Sequence, residues 1–156
     1  MRYLTGLLFF IVMFYLLWPY IYLYRLDKAA AQNDQVTLSK IVDLESVRKV
    51  YKETLEHNIK NTVNLPPAIQ NNVFTNVIQE GAKMLGNATV DTVVDMNWVR
   101  NHLQPTANFS LIQETSFAFF ESPTRFTIRI RDLGNNPIHV QMTLQDWFWK
   151  VSAIYE

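Results

Sequence analysis

The 156-residue chain contains no cysteine, which excludes disulfides and thiolate metal sites and leaves the compartment open, because a domain of this size can manage without disulfides. It has no charge of one sign to spare: 14 Lys and Arg balance 14 Asp and Glu. A broad positive field that would gather nucleic acid is therefore absent. No internal repeat, low-complexity tract or glycine-rich nucleotide signature interrupts it. At this length the chain is one domain, and removing its first two dozen residues still leaves about 130 to build one core.

What is present in excess is one apolar run. Leu4 to Trp18 (LTGLLFFIVMFYLLW) carries no charge, and ten of its residues are Leu, Ile, Val or Phe. At roughly −0.3 to −0.6 kcal/mol each, those side chains favour insertion into a bilayer by about 3–6 kcal/mol. Continued through PYIYLY to Tyr24, the uncharged stretch would span about 31 Å as helix, the thickness of a bilayer core. Tyr3 stands at one end and Trp18, Tyr20, Tyr22 and Tyr24 at the other, an expected pair of aromatic belts at the membrane interfaces. The rival is a cleaved signal peptide. Bulky Trp18, Pro19, Tyr20 and Ile21 occupy the places where a peptidase needs small side chains, and the Ala29/Ala31 spacing lies too far downstream, so residues 1–24 are expected to be a retained anchor. Arg2 and the amino terminus face Arg25, Lys28 and Lys40 across the run, and the charge count does not orient it. A long following domain translocates regardless of charge, which favours residues 25–156 outside the cytoplasm.

Downstream, helical periodicity comes first. Pro19 is expected to kink the first helix or restart it, with helix continuing to about Ala31. Asn33 or Asp34 caps a short helix with Val36, Leu38 and Ile41, and Asp43 caps a long one with Val47, Val50, Tyr51, Leu55 and Ile59. Asn64-Leu-Pro-Pro breaks the chain before a helix over Ile69–Leu85 closed by Gly86. A short piece follows around Val90–Val94. Asp95 then caps a last helix with Trp98, Val99 and Leu103, stopped by Pro105. From Ala107 the period becomes two. Ser116–Glu121 and Arg125–Arg131 read as strands, Leu133-Gly-Asn-Asn as a turn, then Ile138–Gln145 and Trp147–Tyr155 as strands joined near Asp146. The fold class is α+β: an N-terminal transmembrane helix, then several helices packed on a C-terminal antiparallel sheet of about four strands.

The blocks PYIYLYRLDKAAAQND, LSKIVDLESVRK, VDTVVDMNWVRNHL, RFTIRIRD and WFWKVSAIYE, in this order and spacing, resemble a bacterial family of membrane-anchored proteins catalogued as domain of unknown function 2939. The family carries no activity, cofactor or site residue to transfer. The resemblance implies a Gram-negative host, an inner-membrane location and a periplasmic domain. Helices followed by a curved sheet ending in Trp-Lys-Val are also similar to the nuclear transport factor 2-like, or cystatin-like, class, and a fold alone would not fix function.

Candidate chemistry is sparse. Glu53, Glu56 and His57 share a helix, with Glu53 and His57 one turn apart. The inverted zincin pattern needs histidine where Glu53 stands and a further ligand downstream, so a solvated helix face is the better reading. His102 ends a helix and His139 lies on the polar side of a strand, both expected at the surface. Trp98, Trp147, Trp149, Phe117, Phe119 and Phe120 would make either a ligand cage or, as large aromatics in a small domain usually do, core. The most suggestive surface is Arg125, Thr127, Arg129 and Arg131, which share one parity on a strand. With His139, Gln141, Thr143 and Gln145 beside them, they would form a basic, polar platform for a partner or an anion. Its rival is an ordinary solvated face balanced by Glu114, Glu121 or Asp132. No cofactor or metal is called for and no catalytic constellation can be assembled. The expected role is a non-enzymatic accessory or scaffolding subunit, in contact with the lipid bilayer and a membrane protein complex. The alternative is a module that binds a lipid or other small apolar ligand in a pocket between sheet and helices.

Overall fold

The computed structural model describes residues 2–62, 89–104, 109–131 and 137–155. Helix α1 runs from Arg2 to Ala31, α2 from Gln35 to Ile41, α3 from Leu44 to Thr62 and α4 from Met96 to Leu103, with a helical turn at 89–93 before α4. Strands β1 (Thr115–Ser122), β2 (Arg125–Ile130), β3 (Ile138–Gln145) and β4 (Phe148–Tyr155) follow. They form one antiparallel meander in chain order, so the α+β arrangement is as the sequence predicts. The helix expected over Ile69–Leu85, its flanking Pro-Pro and Gly86, Pro105 and the Leu133-Gly-Asn-Asn turn lie outside the described residues.

Pro19 neither ends α1 nor starts a new helix: it lies buried inside one 30-residue element. It has no N–H to give the Tyr15 carbonyl, and the helix is buttressed there by the sheet. Beyond Phe14 one stripe of α1 faces the domain. Tyr15 and Trp18 are half-buried, and Tyr22, Leu23, Leu26, Ala29 and Ala30 are core. Their spacing is that of one helical face. The helix ends where Asn33 adopts φ 53°, a left-handed conformation that asparagine tolerates better than most residues. Arg100 Nε then donates to the Ala30 carbonyl at 3.0 Å, satisfying one of the acceptors that a helix end leaves open.

Asp34 caps α2, accepting from the Thr37 N–H at 3.0 Å, and the Thr37 hydroxyl and amide hold its carboxyl below the usual range. Leu38 and Ile41 turn inward, whereas Val36, expected beside them, is exposed. Asp95 caps α4 through the Trp98 N–H at 2.7 Å, and Val99 and Leu103 are fully buried. Phe126, Ile128 and Ile130 of β2, Val140 and Met142 of β3, and Trp149 and Val151 of β4 complete the core from the sheet's inner face. A bulge at Ser152 keeps β4 in register: Gln141 pairs with Ala153 but Met142 pairs with Val151. The extra residue bends the strand.

Both sheet edges are covered in part. Tyr20 on α1 donates its hydroxyl to the Ala118 carbonyl of β1 at 2.9 Å. On the β4 side Val42 bridges Val151 in parallel, and the Asp43 N–H donates to the Val151 carbonyl at 2.9 Å. Asp43 is thus both a strand partner and the cap of α3. Its carboxylate accepts from the Ser46 N–H (3.1 Å) and hydroxyl (2.7 Å) and from Gln145 Nε2 of β3 (2.9 Å). Partial burial pushes its pKa up, but the hydrogen bonds from Ser46 and Gln145, with Lys150 nearby, together hold it below the usual carboxylate range. A depressed folded pKa contributes stability that is present above the unfolded value of about 4 and lost as pH falls through the folded one. Asp43→Ala should therefore lower stability by about 1–2 kcal/mol at neutral pH. The gap from wild type should narrow below about pH 4, as read from melts of the detergent-solubilised chain across pH.

The outer face of the sheet as the candidate functional site

The side of the meander turned away from the helices is ordered in cross-strand rows. Phe117 pairs with Arg129, Arg129 with His139 and His139 with Tyr155. The next outward row is Phe119, Thr127, Gln141 and Ala153, and toward the hairpin ends stand Ser122, Arg125, Thr143 and Lys150. Rows like these form because residues of one parity on neighbouring strands stand side by side. An open concavity of about 600 Å³ lies over the middle of this face, lined by Phe117, Phe119, Thr127, His139, Gln141 and Tyr155 among others.

The predicted arginine parity holds for Arg125 and Arg129 and fails for Arg131. β2 ends at Ile130, and Arg131 takes φ 67°, which turns the chain out of the strand. Its N–H donates to the Glu114 carbonyl at 2.8 Å and its guanidinium lies over Phe109 at 5.7 Å, a ring packed against the core. The Arg129 guanidinium lies over Phe117, 5.6 Å from the ring centroid, with Nε donating to the Ser116 hydroxyl at 3.1 Å. Arg125 makes a loose pair with Glu121 at 3.9 Å. Glu121 also accepts from Thr127 (3.2 Å) and Gln141 Nε2 (3.1 Å). The three guanidiniums therefore do not converge as a basic platform. Glu121, Arg125, Arg129 and Lys150 are dispersed over a face that also carries exposed rings.

Those rings are the feature that sequence reasoning missed. Phe117 and Phe119, expected in the core, are 47% and 57% exposed, and Trp147 is 76% exposed. Only Phe120 of the β1 aromatics turns inward, beside Phe126 and Trp149 at 5.3 and 5.8 Å. The strand reads Phe117-Ala118-Phe119-Phe120, with rings on both parities, and the smaller Ala118 takes an inward place that periodicity alone would give to phenylalanine. Trp98 is half-buried, edge-on to Tyr51 at 5.4 Å and against His102 at 3.8 Å. His102, expected at the surface, is accordingly half-buried, with Nδ1 2.8 Å from the Trp98 carbonyl.

Among the expected interface aromatics Tyr3 and Tyr24 are exposed. Tyr22 is 8% exposed and belongs to the core, its ring beneath the Arg25 guanidinium at 5.6 Å. That is a correction, and its cause is the inward stripe of α1. Trp18 packs against the core, and Tyr20 sets its ring edge-on to Phe126 at 5.0 Å. On α3 Glu53 and His57 are exposed, and the Glu56 side chain lies outside the described ones. Among the described residues no three His, Asp or Glu side chains group closely enough to hold a metal ion.

The register assigns opposite consequences to neighbouring residues of β2. Arg129→Glu removes an exposed stacking contact and should move stability by under about 1 kcal/mol. Ile128→Ala opens a cavity at a fully buried position and should cost about 2–5 kcal/mol. Thermal melts of the two variants check the assignment.

No curated protein and no solved structure matches the chain. Residues 8–101, from within α1 to within α4, match the model of a family described as protein of unknown function, DUF2939. The match stops before the sheet, so the outer face is outside what the family model describes. With more than half its length matched, the chain belongs to the DUF2939 family.

Proposed function

We propose that the protein is a single-pass, non-enzymatic accessory subunit of the bacterial inner membrane, with a periplasmic domain that docks a membrane-protein partner on the sheet's outer face. The observation that carries this reading is the row Phe117–Arg129–His139–Tyr155 with Phe119 beside it, in which Phe117, Phe119 and Tyr155 are exposed. Rigid aromatics and arginine are the side chains that anchor protein interfaces, where large contact area costs little conformational entropy. Neighbouring rings held out of the core form the kind of contiguous apolar patch that marks an interaction surface.

The anchor reading has support of its own. α1 is long and apolar enough, by length and composition, to cross a membrane. Its C-terminal half supplies Tyr22, Leu23 and Leu26 to the core. At about 1.5–3 kcal/mol per buried apolar side chain, losing them would remove a large part of a domain stability of about 5–15 kcal/mol. Cleavage near Ala29 or Ala31 would thus cost the domain a core element, which a dispensable signal peptide does not supply. The protein should remain with membranes after a carbonate wash, and its N-terminus should read from before Leu4. A sequence beginning near Gln32 would defeat the anchor.

The ligand-binding alternative expected a pocket between sheet and helices. Trp149, Phe126, Met142 and Leu26 pack into that layer, and the concavity described above lies on the opposite face. A photo-reactive phenylalanine analogue at Phe119 distinguishes the readings. In native membranes it should give one protein adduct of discrete mass, lost in Arg129→Glu and absent when the probe replaces exposed Val36. An adduct of lipid mass that survives Arg129→Glu would favour the apolar-ligand reading instead.

A further inference from the structure

The position of the domain along α1 leads to a second membrane contact. The uncharged run Tyr3–Tyr24 is about 33 Å long as helix, and a bilayer core is about 30 Å thick. The freely exposed part, Tyr3–Phe14, covers only about 18 Å of it. From Tyr15 onward the helix is already clamped to the sheet. The Tyr15 hydroxyl donates to the Pro123 carbonyl in the β1–β2 turn, and its ring stacks on Phe120 at 5.7 Å. Over the same stretch the other side of the helix stays apolar and exposed at Leu16, Leu17, Ile21 and Tyr24. That stripe is ill-suited to water and well suited to lipid. If residues 15–24 reach bilayer depth, the part of the sheet clamped to Tyr15 goes down with them.

Which end goes down follows from three contacts in order along α1. Tyr15 meets Pro123 at the hairpin turn, Tyr20 meets Ala118 in mid-strand, and Asp27 accepts from the Leu111 N–H at 2.7 Å, before β1 begins. The turn end therefore faces the N-terminal, membrane-ward side of α1. The β3–β4 turn lies at that same end, tied to the first by the Leu144 N–H donating to the Thr124 carbonyl at 2.9 Å. There Asp146 (φ 48°) and Trp147 (φ 67°) make a tight turn of the hairpin type. It projects Trp147 and Phe148, 76% and 56% exposed. Tryptophan favours the boundary between headgroups and acyl chains. Asp146, Glu121 and Arg125 at this end would oppose deeper entry.

We infer that the hairpin end of the sheet is seated in the bilayer interface, with Trp147 and Phe148 as a second, non-helical anchor beside α1. This rests on α1 crossing the membrane. The partner is the lipid surface itself, identified by the continuity of this patch with the apolar side of the helix.

Because the chain has no cysteine, single cysteines take a nitroxide without background. The full chain, reconstituted in vesicles of phosphatidylethanolamine and phosphatidylglycerol, is labelled in turn at Phe10→Cys, Trp147→Cys, Thr124→Cys and Glu114→Cys. Collision with oxygen, relative to a polar nickel chelate, reports depth. The ratio should be highest at position 10, several-fold lower but clearly raised at 147 and 124, and lowest at 114, before β1 and away from the turns. Position 124, in the neighbouring turn, decides the matter should Trp147→Cys fail to fold. Ratios at 147 and 124 equal to that at 114, with position 10 deep, would overturn the interfacial seating and leave the anchor standing. A position 10 as exposed as 114 would overturn both.

Discussion

One helix in this protein presents two different faces over the same residues. Between Tyr15 and Ala30, α1 gives one stripe to the domain core and keeps the other outward. The join is aromatic: Tyr15 on Phe120, Tyr20 on Phe126, and both phenylalanines against Trp149. Edge-to-face and stacked rings at such distances add to the burial they bring. They also make the docking angle specific, because each ring has few low-energy positions. The sheet's inner face is packed by α1 together with α2 and α3: Leu26, Leu38, Ile41 and Val47 lie in the same core as Phe126 and Trp149. The C-terminal half of α1 is thus a structural element of the domain.

The same constraint explains what was legible in the sequence. Caps at Asp34, Asp43 and Asp95 were readable because a short acceptor side chain before an apolar-periodic run has a local purpose. The β2 register was readable because Phe126, Ile128 and Ile130 alternate with polar residues and a one-residue slip would expose all of them. Tyr22 was misplaced because aromatic residues at the end of an apolar run look the same whether they face headgroups or a protein core. Only the tertiary contact decides. Arg131 shares the parity of Arg129 in the sequence, but parity holds only while the strand does, and a positive φ ends it. In β1, Phe117, Phe119 and Phe120 offered rings to both faces, so periodicity could not assign a side.

The candidate site shows the same division between local and non-local information. Arg125, Arg129 and His139 were found on the outer face because strand alternation is a local rule. That Glu121 would collect Arg125, Thr127 and Gln141 depends on an irregularity between Phe120 and Ser122 in β1. An extra residue re-aims a side chain, and no pattern in one strand announces which neighbours it will meet. The outcome alters the chemistry. A basic platform would select for anions of many kinds. Aromatic rings interspersed with scattered charges select for shape and apolar area, with the charges setting orientation.

The seating of the domain and the use of its outer face are then linked by distance. Along β2, Arg125 stands at the hairpin end and Arg129 four positions on, which at about 3.4 Å per residue raises the Phe117–Arg129–His139–Tyr155 row by roughly 14 Å. With the hairpin end in the interface and β2 along the membrane normal, that row would clear the headgroup layer, which adds only about 5–8 Å on each side of the hydrocarbon core. A domain swinging on a single flexible tether would present the row at many heights and angles. Each binding event would then have to select one of them at an entropic cost. Two contacts, a helix through the bilayer and a Trp-Phe turn upon it, would fix the height and limit the tilt. The rings held out of the core would meet a neighbouring membrane protein just above the lipid, where such a partner presents its first extramembrane surface.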